Sequence, residues 1–456
     1  MAGETIRRAS AALRVTGPGE AASRFERLVF ALTALVAFVA LTWSGARLGP
    51  DGAPLAGAVT EAPLYSALLA AHGALLEAPA ARDAGSYDLL AAWQVLIGLA
   101  AAWWLGRSLR TAFGLPRWIG FLASLVLLLP YALGTKPFGT TIAAEALAYP
   151  LFLVALSCLF HGFARGDWRW LIAFIVLLPL QVLASKQLAF VAPAFVLLLA
   201  WLLWAYPGPR RPKVILAGLL AAALLAGALA ERLTVQAKSG HFSPLPVAGR
   251  QMIAVALYLA EDDDGALFRA HPERRALFGA FRREMALRNL RVQDIAQGPV
   301  PTADRASHFQ ASREAIVRQA VLPALRKAGI REPFAIDRET RQMSYRLLGE
   351  QPLAWLCLTG GTVVKGLGGP YPAAFLLLVF ALTAAAQTRH RAPWSLALAS
   401  VLLFHLANIT GTALIGADIA QATGHTAPPT LALLMIALWR VSEHGAHDQT
   451  DRVEST

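Results

Sequence analysis

The sequence predicts an all-α polytopic membrane protein: about ten transmembrane helices plus a helical extracytoplasmic domain. Three observations predict it. Of 456 residues, 56% are hydrophobic and only 15% charged, whereas an ordinary soluble domain carries about 25% charged residues. Long charge-free runs, such as Leu188 to Tyr206 and Val214 to Ala230, suffice at about 1.5 Å per residue to cross most of a ~30 Å hydrocarbon core. Between Glu231 and Gln351 the pattern stops: ionisable side chains recur every few residues and no apolar run is long enough to span.

The first apolar run, Leu28 to Gly45, follows a polar segment, residues 1–27, that carries Arg7, Arg8, Arg14, Arg24 and Arg27. It is longer than the ~7–15-residue apolar stretch of a signal peptide, so it is expected to be a retained span with its N-terminus inside. An outer loop, residues 46–88, leads to span 2 (Leu89 to Leu105), which a basic connector joins to span 3 (Trp118 to Gly134). The turn TKPFGT precedes span 4 (Ile142 to Phe163), and ARGDWR precedes span 5 (Trp170 to Ser185). Only Lys186 and Gln187 separate span 5 from span 6, which ends at Tyr206; PGPRRPK returns to span 7, Val214 to Ala230. Membrane helices 1–7 thus occupy residues 28–230.

Residues 231–351 are expected to form one extracytoplasmic domain, with helices starting near Asp304 and Asp337 and no strand alternation. Its length of about 120 residues suits a single domain. Residues 352–370, PLAWLCLTGGTVVKGLGGP, are rich in glycine and carry Lys365, so an interfacial segment is expected rather than a span. Helices 8 (Tyr371 to Ala386), 9 (Trp394 to Ile415) and a short 10 ending at Trp439 fill residues 371–441, and residues 442–456 form a cytoplasmic tail.

Net charge is +12, but it sits in short connectors: Arg107, Arg110 and Arg117; Arg165 and Arg169; Arg210, Arg211 and Lys213; Arg389 and Arg391. Short basic loops are what the positive-inside rule places in the cytoplasm, and no nucleic-acid motif accompanies them. The basicity reports topology, with both termini cytoplasmic, and no nucleic-acid partner is expected. Cys158 and Cys357 are too few for a disulfide framework. No P-loop, nucleophile elbow, H-E-x-x-H or paired-cysteine zinc site is present. The acidic run Glu261 to Asp264 reads as charge at a helix start, not as a metal site, since four consecutive carboxylates cannot converge on one ion.

Polar residues cluster instead at the outer ends of spans: Asp51, Glu61 and Tyr65; Lys136 and Glu145; Lys186 and Gln187; His241 and Arg250; Asp418 and His425. Ionisable groups at membrane depth are costly and tend to face a cavity. Each also has a plain structural reading: a turn aspartate in GPDGAP, a first-turn glutamate in TEAP, a snorkelling lysine, a loop histidine, a solvated arginine.

The order "TEAPLYSALLAA", "AWQVLIGLAAAWWLGRSL", "TIAAEALAYPLFLVAL", "ASKQLAFVAPAFVLL" and "LLGEQPLAWLCL" resembles the polyprenyl-phosphate-dependent GT-C glycosyltransferases, which include protein O-mannosyltransferases and lipid A aminoarabinose transferases. The resemblance covers most of the chain and implies an enzyme that moves a sugar from a polyprenyl-phosphate carrier to a glycan, lipid or protein acceptor on the extracytoplasmic face. It further implies that Asp51, with Glu61 as its rival, is the general base on an acceptor hydroxyl. Lys186, Lys136 and Arg250 would contact the donor phosphate, and Glu145, Tyr65, Gln187 and His425 would be further site residues. A hydroxyl is a weak nucleophile at neutral pH, and a departing phosphate gains charge in a low-dielectric setting, so a base and cations are the groups required. No cofactor is required by the residues; a divalent metal is one that some members use. Two departures stand out: Asp51 is followed by Gly52 rather than a second acid, and no Arg-Tyr pair occurs in the last outer loop.

Two other functions stay open, a lipid-linked glycan polymerase or ligase and a non-enzymatic lipid or glycan transporter. Transporters often carry internal repeats, and none is visible. The expected location is the inner (plasma) membrane, in contact with membrane lipid.

Overall fold

Charge-free runs can hydrogen-bond their backbone in lipid only by coiling on themselves, and nearly every element is accordingly helical. The computed structural model describes residues 24–43, 45–48, 62–75, 87–133, 137–185, 188–189, 193–198, 200, 210–294, 301–390 and 393–454. The chain divides into two compact units, one of Met1–Phe242, Val379–His405 and Gly424–Thr456, the other of Ser243–Leu378 and Leu406–Thr423.

The first unit contains α1 (Arg24–Thr42), α2 (Pro63–Leu75), α3 (Asp88–Phe113), α4 (Arg117–Leu127), α5 (Leu129–Ala132), α6 (Glu145–Arg165), α7 (Trp168–Ala184) and α8 (Arg210–Ser239). The connectors stop these helices by ordinary chemistry. Gly114 and Gly166 take left-handed φ angles of 60° and 64° after α3 and α6, a conformation that costs glycine nothing. Asp167 caps α7, accepting the Arg169 N–H at 3.0 Å. The run read as a continuous third span breaks after Leu127 into α4 and α5. Pro130 lacks an N–H and cannot continue the ladder.

Among the described residues, four helical segments are long and apolar enough to cross a membrane: Asp88–Phe113, Glu145–Arg165, Val214–Ser239 and Trp394–Leu414. Ala31–Thr42, Arg117–Ala132 and Trp168–Ala184 are shorter apolar helices. The expected sixth span lies mostly outside the described residues.

α3 packs against α4 and α5 through glycines. A Cβ on Gly98 would fall within the Tyr131 ring, and one on Gly106 would strike the Ser124 hydroxyl. At the far end of α3, the Phe113 carbonyl accepts a hydrogen bond from Arg440. The carboxy-terminal end of α3 therefore lies beside Arg440, and the amino-terminal end faces the opposite way.

Among the described residues, two elements are strands, each two residues long. Arg47 and Leu48 pair in parallel with Thr141 and Ile142. The Ala46 N–H also donates to Asp88 Oδ1 at 2.6 Å. The start of the first outer loop is thus tied to the starts of both α3 and α6.

The second unit contains α9 (Ala248–Leu259), a 3-10 turn (Asp262–Phe268), α10 (Pro272–Leu287), α11 (Thr302–Ala315), α12 (Leu322–Lys327), α13 (Pro333–Glu350) and α14 (Pro352–Gly366). Residues 231–239 continue α8. Phe268, Phe281, Phe309, Met285 and Tyr258 fill the core. α9 and α13 meet where the Gly249 N–H donates to Asp337 Oδ1 at 2.8 Å. The acidic run forms a capping box between Glu261 and Asp264, and Asp262 lies 2.9 Å from the buried Arg282 guanidinium. Those carboxylates serve a helix start and an ion pair.

This unit also takes in residues 406–423. Asp418 lies 3.5 Å from the Arg313 guanidinium, and the Trp355 Nε1–H donates to the Leu414 carbonyl at 3.1 Å. α14 is bent 85° from the helix that follows it, measured over Pro370–Ala386.

Three further helices follow: α15 (Pro370–His390), α16 (Pro393–Leu414) and α17 (Ile419–Glu454). α17 begins inside the stretch read as the last outer loop and continues through the expected cytoplasmic tail. Asp418 starts it by accepting the Ala420 N–H at 3.0 Å.

The glycine contact gives a direct test. Gly98→Ala is expected to lower the melting temperature of the detergent-solubilised protein, since overpacking costs about 1–3 kcal/mol. Gly218→Ala on α8, where an added Cβ meets open space, should leave it unchanged or slightly raised. Equal effects at the two positions would contradict this packing.

Candidate functional site

The end of the first unit where α3 and α6 begin collects polar side chains that the sequence scatters. α2 carries Tyr65 on its first turn, α3 carries Gln94 on its second, and α6 opens with Glu145. Tyr65 and Gln94 are buried, and Gln94 Nε2 donates to the Tyr65 hydroxyl oxygen at 2.7 Å. The Tyr65 hydroxyl is pushed above its ordinary range, first by burial and then by the nearby Glu145 carboxylate, against a lowering by the Gln94 hydrogen bond. Tyr65 therefore stays protonated at physiological pH. With its oxygen accepting from Gln94, it keeps its own proton to donate. Glu145 sits where the helix macrodipole favours a carboxylate.

One turn into each helix lies an aromatic layer. Tyr149 follows Glu145 by four residues and Gly98 follows Gln94 by four, so each pair shares a helix face. The Tyr131 ring occupies the space over Gly98. Tyr131 packs 6.0 Å from both Phe138 and Tyr149, centroid to centroid. His425, fully buried on α17, completes the layer at 5.4 Å from Phe138 and 6.3 Å from Tyr149. The Tyr149 hydroxyl donates to the Leu127 carbonyl at 2.7 Å.

Of the expected site residues, Tyr65 and Glu145 come together, and His425 joins the aromatic layer below them. Arg250 belongs to the second unit, half-buried on the first turn of α9. Asp51, Glu61, Lys136, Lys186 and Gln187 lie outside the described residues. The pairing of Arg47–Leu48 with Thr141–Ile142 nonetheless fixes where the chain leading to Asp51 departs: beside the start of α6.

Three residues here escaped the sequence reading. Gln94 was visible only as a lone amide in an apolar run, a signal worth heeding because polar side chains inside spans are rarely idle. Asp88 read as the end of a loop but holds the Ala46 N–H. Lys238, near the end of α8, donates from Nζ to the Ser66 hydroxyl at 2.7 Å and so sets a cation beside the residue next to Tyr65. Among the described residues no group of three or more His, Cys, Asp or Glu could hold a metal ion.

No family model and no curated protein matches the chain. Among solved structures it is similar to the crystal structure of ArnT from Cupriavidus metallidurans bound to undecaprenyl phosphate. The TM-score is 0.33 at 14% identity, over 91% of this chain and 77% of that one. A likeness this weak assigns neither family nor activity, and the residues themselves must carry the functional reading.

The Gln94–Tyr65 bond can be tested as a pair. Tyr65→Phe strands a buried amide, which should cost about 1–3 kcal/mol of stability. Gln94→Met in that background should then cost less than it does alone, with a coupling of about 0.5–3 kcal/mol in thermal or denaturant melts. Strictly additive losses would show that the two side chains do not interact.

Proposed function

We propose that the protein is a membrane glycosyltransferase that takes a sugar from a polyprenyl-phosphate carrier and passes it to an acceptor hydroxyl on the extracytoplasmic face. The observation that carries this reading is the tie between the first outer loop and the start of α6. It sets the chain entering the Asp51 segment against the helix that opens with Glu145, beside Tyr65 and Gln94. These are the segments whose order resembles the GT-C enzymes.

In the proposed reaction, the acceptor oxygen forms a bond to the anomeric carbon while the bond from that carbon to the phosphate oxygen breaks. The acceptor proton passes to a carboxylate, Asp51 or its rival Glu61, and the electron pair leaves with the polyprenyl phosphate. Cations lower the cost of that charge in a water-poor site. Lys186 and Lys136 are the proposed phosphate contacts from the sequence, Arg250 is a further one, and Lys238 adds a cation near Tyr65. Gln187 and His425 are proposed as further site residues. Glu145 is proposed to orient the Tyr65 donor rather than to take the proton, because Tyr65 lies within reach of its charge. The proposed topology has the basic connectors and both termini in the cytoplasm of a plasma-membrane protein, residues 231–351 outside, and residues 352–370 along the interface.

The reading is tested by following sugar transfer from a lipid-linked pool in membranes with matched amounts of folded protein. Asp51→Asn should lower the rate about 10²–10⁴-fold, the usual range for loss of a general base. Near-normal transfer by Asp51→Asn with strong loss in Glu61→Gln would move the base to Glu61. Absence of transfer from any polyprenyl-phosphate donor by the unaltered protein would overturn the proposal and favour a transporter. Cysteines introduced into residues 231–351 should react with impermeant thiol reagents in intact cells; protection there would invert the topology.

A further inference from the structure

Among the buried polar atoms of the first unit with no hydrogen-bond partner in the described residues are two set about one helical turn apart along α3, Gln94 Oε1 and the Tyr131 hydroxyl. Gln94 is 2% exposed and Tyr131 1%. Gln94 gives its Nε2 protons toward Tyr65 and leaves Oε1 unpartnered, and the Tyr131 hydroxyl is likewise unpartnered. The Tyr131 hydroxyl reaches the place where a Cβ of Gly98 would be, one helical turn from Gln94 on the same face of α3. A glycine at position 98 is what admits that ring. Buried polar groups in native proteins are usually satisfied by protein or by a bound molecule, and these two open atoms lie on one face of α3, within reach of a single small group.

The chemistry of the place restricts that partner. The open groups are an amide oxygen, which only accepts, and a phenol, which donates and accepts. Neither is charged, so a phosphate gains little here. A neutral hydroxyl can donate to Gln94 Oε1 and accept from Tyr131. The neighbouring side chains are aromatic: Phe138 meets Tyr131 edge-on, Tyr149 is tilted against it, and His425 packs on Phe138 and Tyr149. Mostly apolar walls with a few convergent polar groups are the usual make-up of a small-molecule site. A sugar ring matches both parts, with C–H faces for the aromatic rings and hydroxyls for the two open atoms.

We propose that Gln94 and Tyr131 form a hydroxyl-recognition site for the sugar, with the amide oxygen and the phenol contacting ring hydroxyls and the aromatic layer flanking the ring. This rests on the glycosyltransferase reading and adds to it which residues select the sugar rather than the carrier. Gly98 and Tyr65 act as positioning residues: the first makes room for Tyr131 and the second fixes which end of the Gln94 amide is left open.

The test compares binding of two probes to the full-length protein in nanodiscs: bare polyprenyl phosphate, and polyprenyl phosphate carrying a single hexose or pentose. The unaltered protein should bind the glycosylated lipid more tightly. Tyr131→Phe removes one oxygen and nothing else, and should shrink that margin about 3- to 10-fold, the worth of one neutral hydrogen bond, with binding of the bare lipid unchanged. Gln94→Met should act in the same direction. An undiminished margin in Tyr131→Phe, accompanied by a higher melting temperature, would mean the oxygen meets an internal water only and would overturn the proposal. Equal loss of both lipids in the variants would do the same.

If the unaltered protein binds neither lipid, the carrier reading fails and the hydroxyl site is read separately, from saturation transfer to free methyl hexopyranosides. Transfer that disappears in Tyr131→Phe supports the site without the carrier; no transfer to the unaltered protein overturns it.

Discussion

The hydrogen bond from Gln94 to Tyr65 organises the proposed active end of the first unit. A buried amide on the second turn of an apolar helix is costly to leave without a partner, about 1–3 kcal/mol. Tyr65 supplies the partner and is itself buried by the pairing. The bond ties α2 to α3, alongside the packing of Leu68 and Leu69 against Tyr87, Leu90 and Ala91. It also puts a phenol within reach of the Glu145 charge. The aromatic layer one turn further in depends on the same registry, since Gly98 admits Tyr131 only while α3 and α5 keep their spacing.

The second constraint is the binding of loop to helix starts. A two-residue parallel pairing is weak by itself, but here it acts with the Asp88 carboxylate, which accepts from Ala46. Together they hold the start of the first outer loop against the starts of α3 and α6. In the second unit the equivalent role falls to Arg313 and Gln310, which meet the N-terminal turn of α17 through Asp418 and the Ile419 N–H.

Much of the helical framework was legible because it follows from run length and from stop signals. Gly114, Gly166 and Asp167 end or begin helices where the sequence rules place them. The early start of α17 was not legible. GADIAQATGHT has loop composition, and Pro428 and Pro429 argue against helix. The first turns of the helix have a partner that composition does not reveal: the Asn408 side chain on α16 donates to the Ala422 carbonyl at 2.9 Å. Strands of two residues carry no periodicity to read, so Arg47–Leu48 could not be foreseen. For the site, Tyr65 and Glu145 were legible as polar residues at span ends. Gln94 and Tyr131 were not, because each reads as part of an apolar run until the partner across the interface is known.

The claim on which the functional reading stands is that the first outer loop lies against the start of α6. Disulfide trapping measures it directly, with Leu48→Cys and Ile142→Cys combined in a background where Cys158 and Cys357 are replaced by serine. These two positions are directly paired, so mild oxidation of the folded protein in membranes is expected to join them rapidly, while Leu48→Cys with a cysteine at Ala132 should stay reduced. Failure of the 48–142 pair to form in a protein that melts normally would separate the loop from α6 and contradict the account.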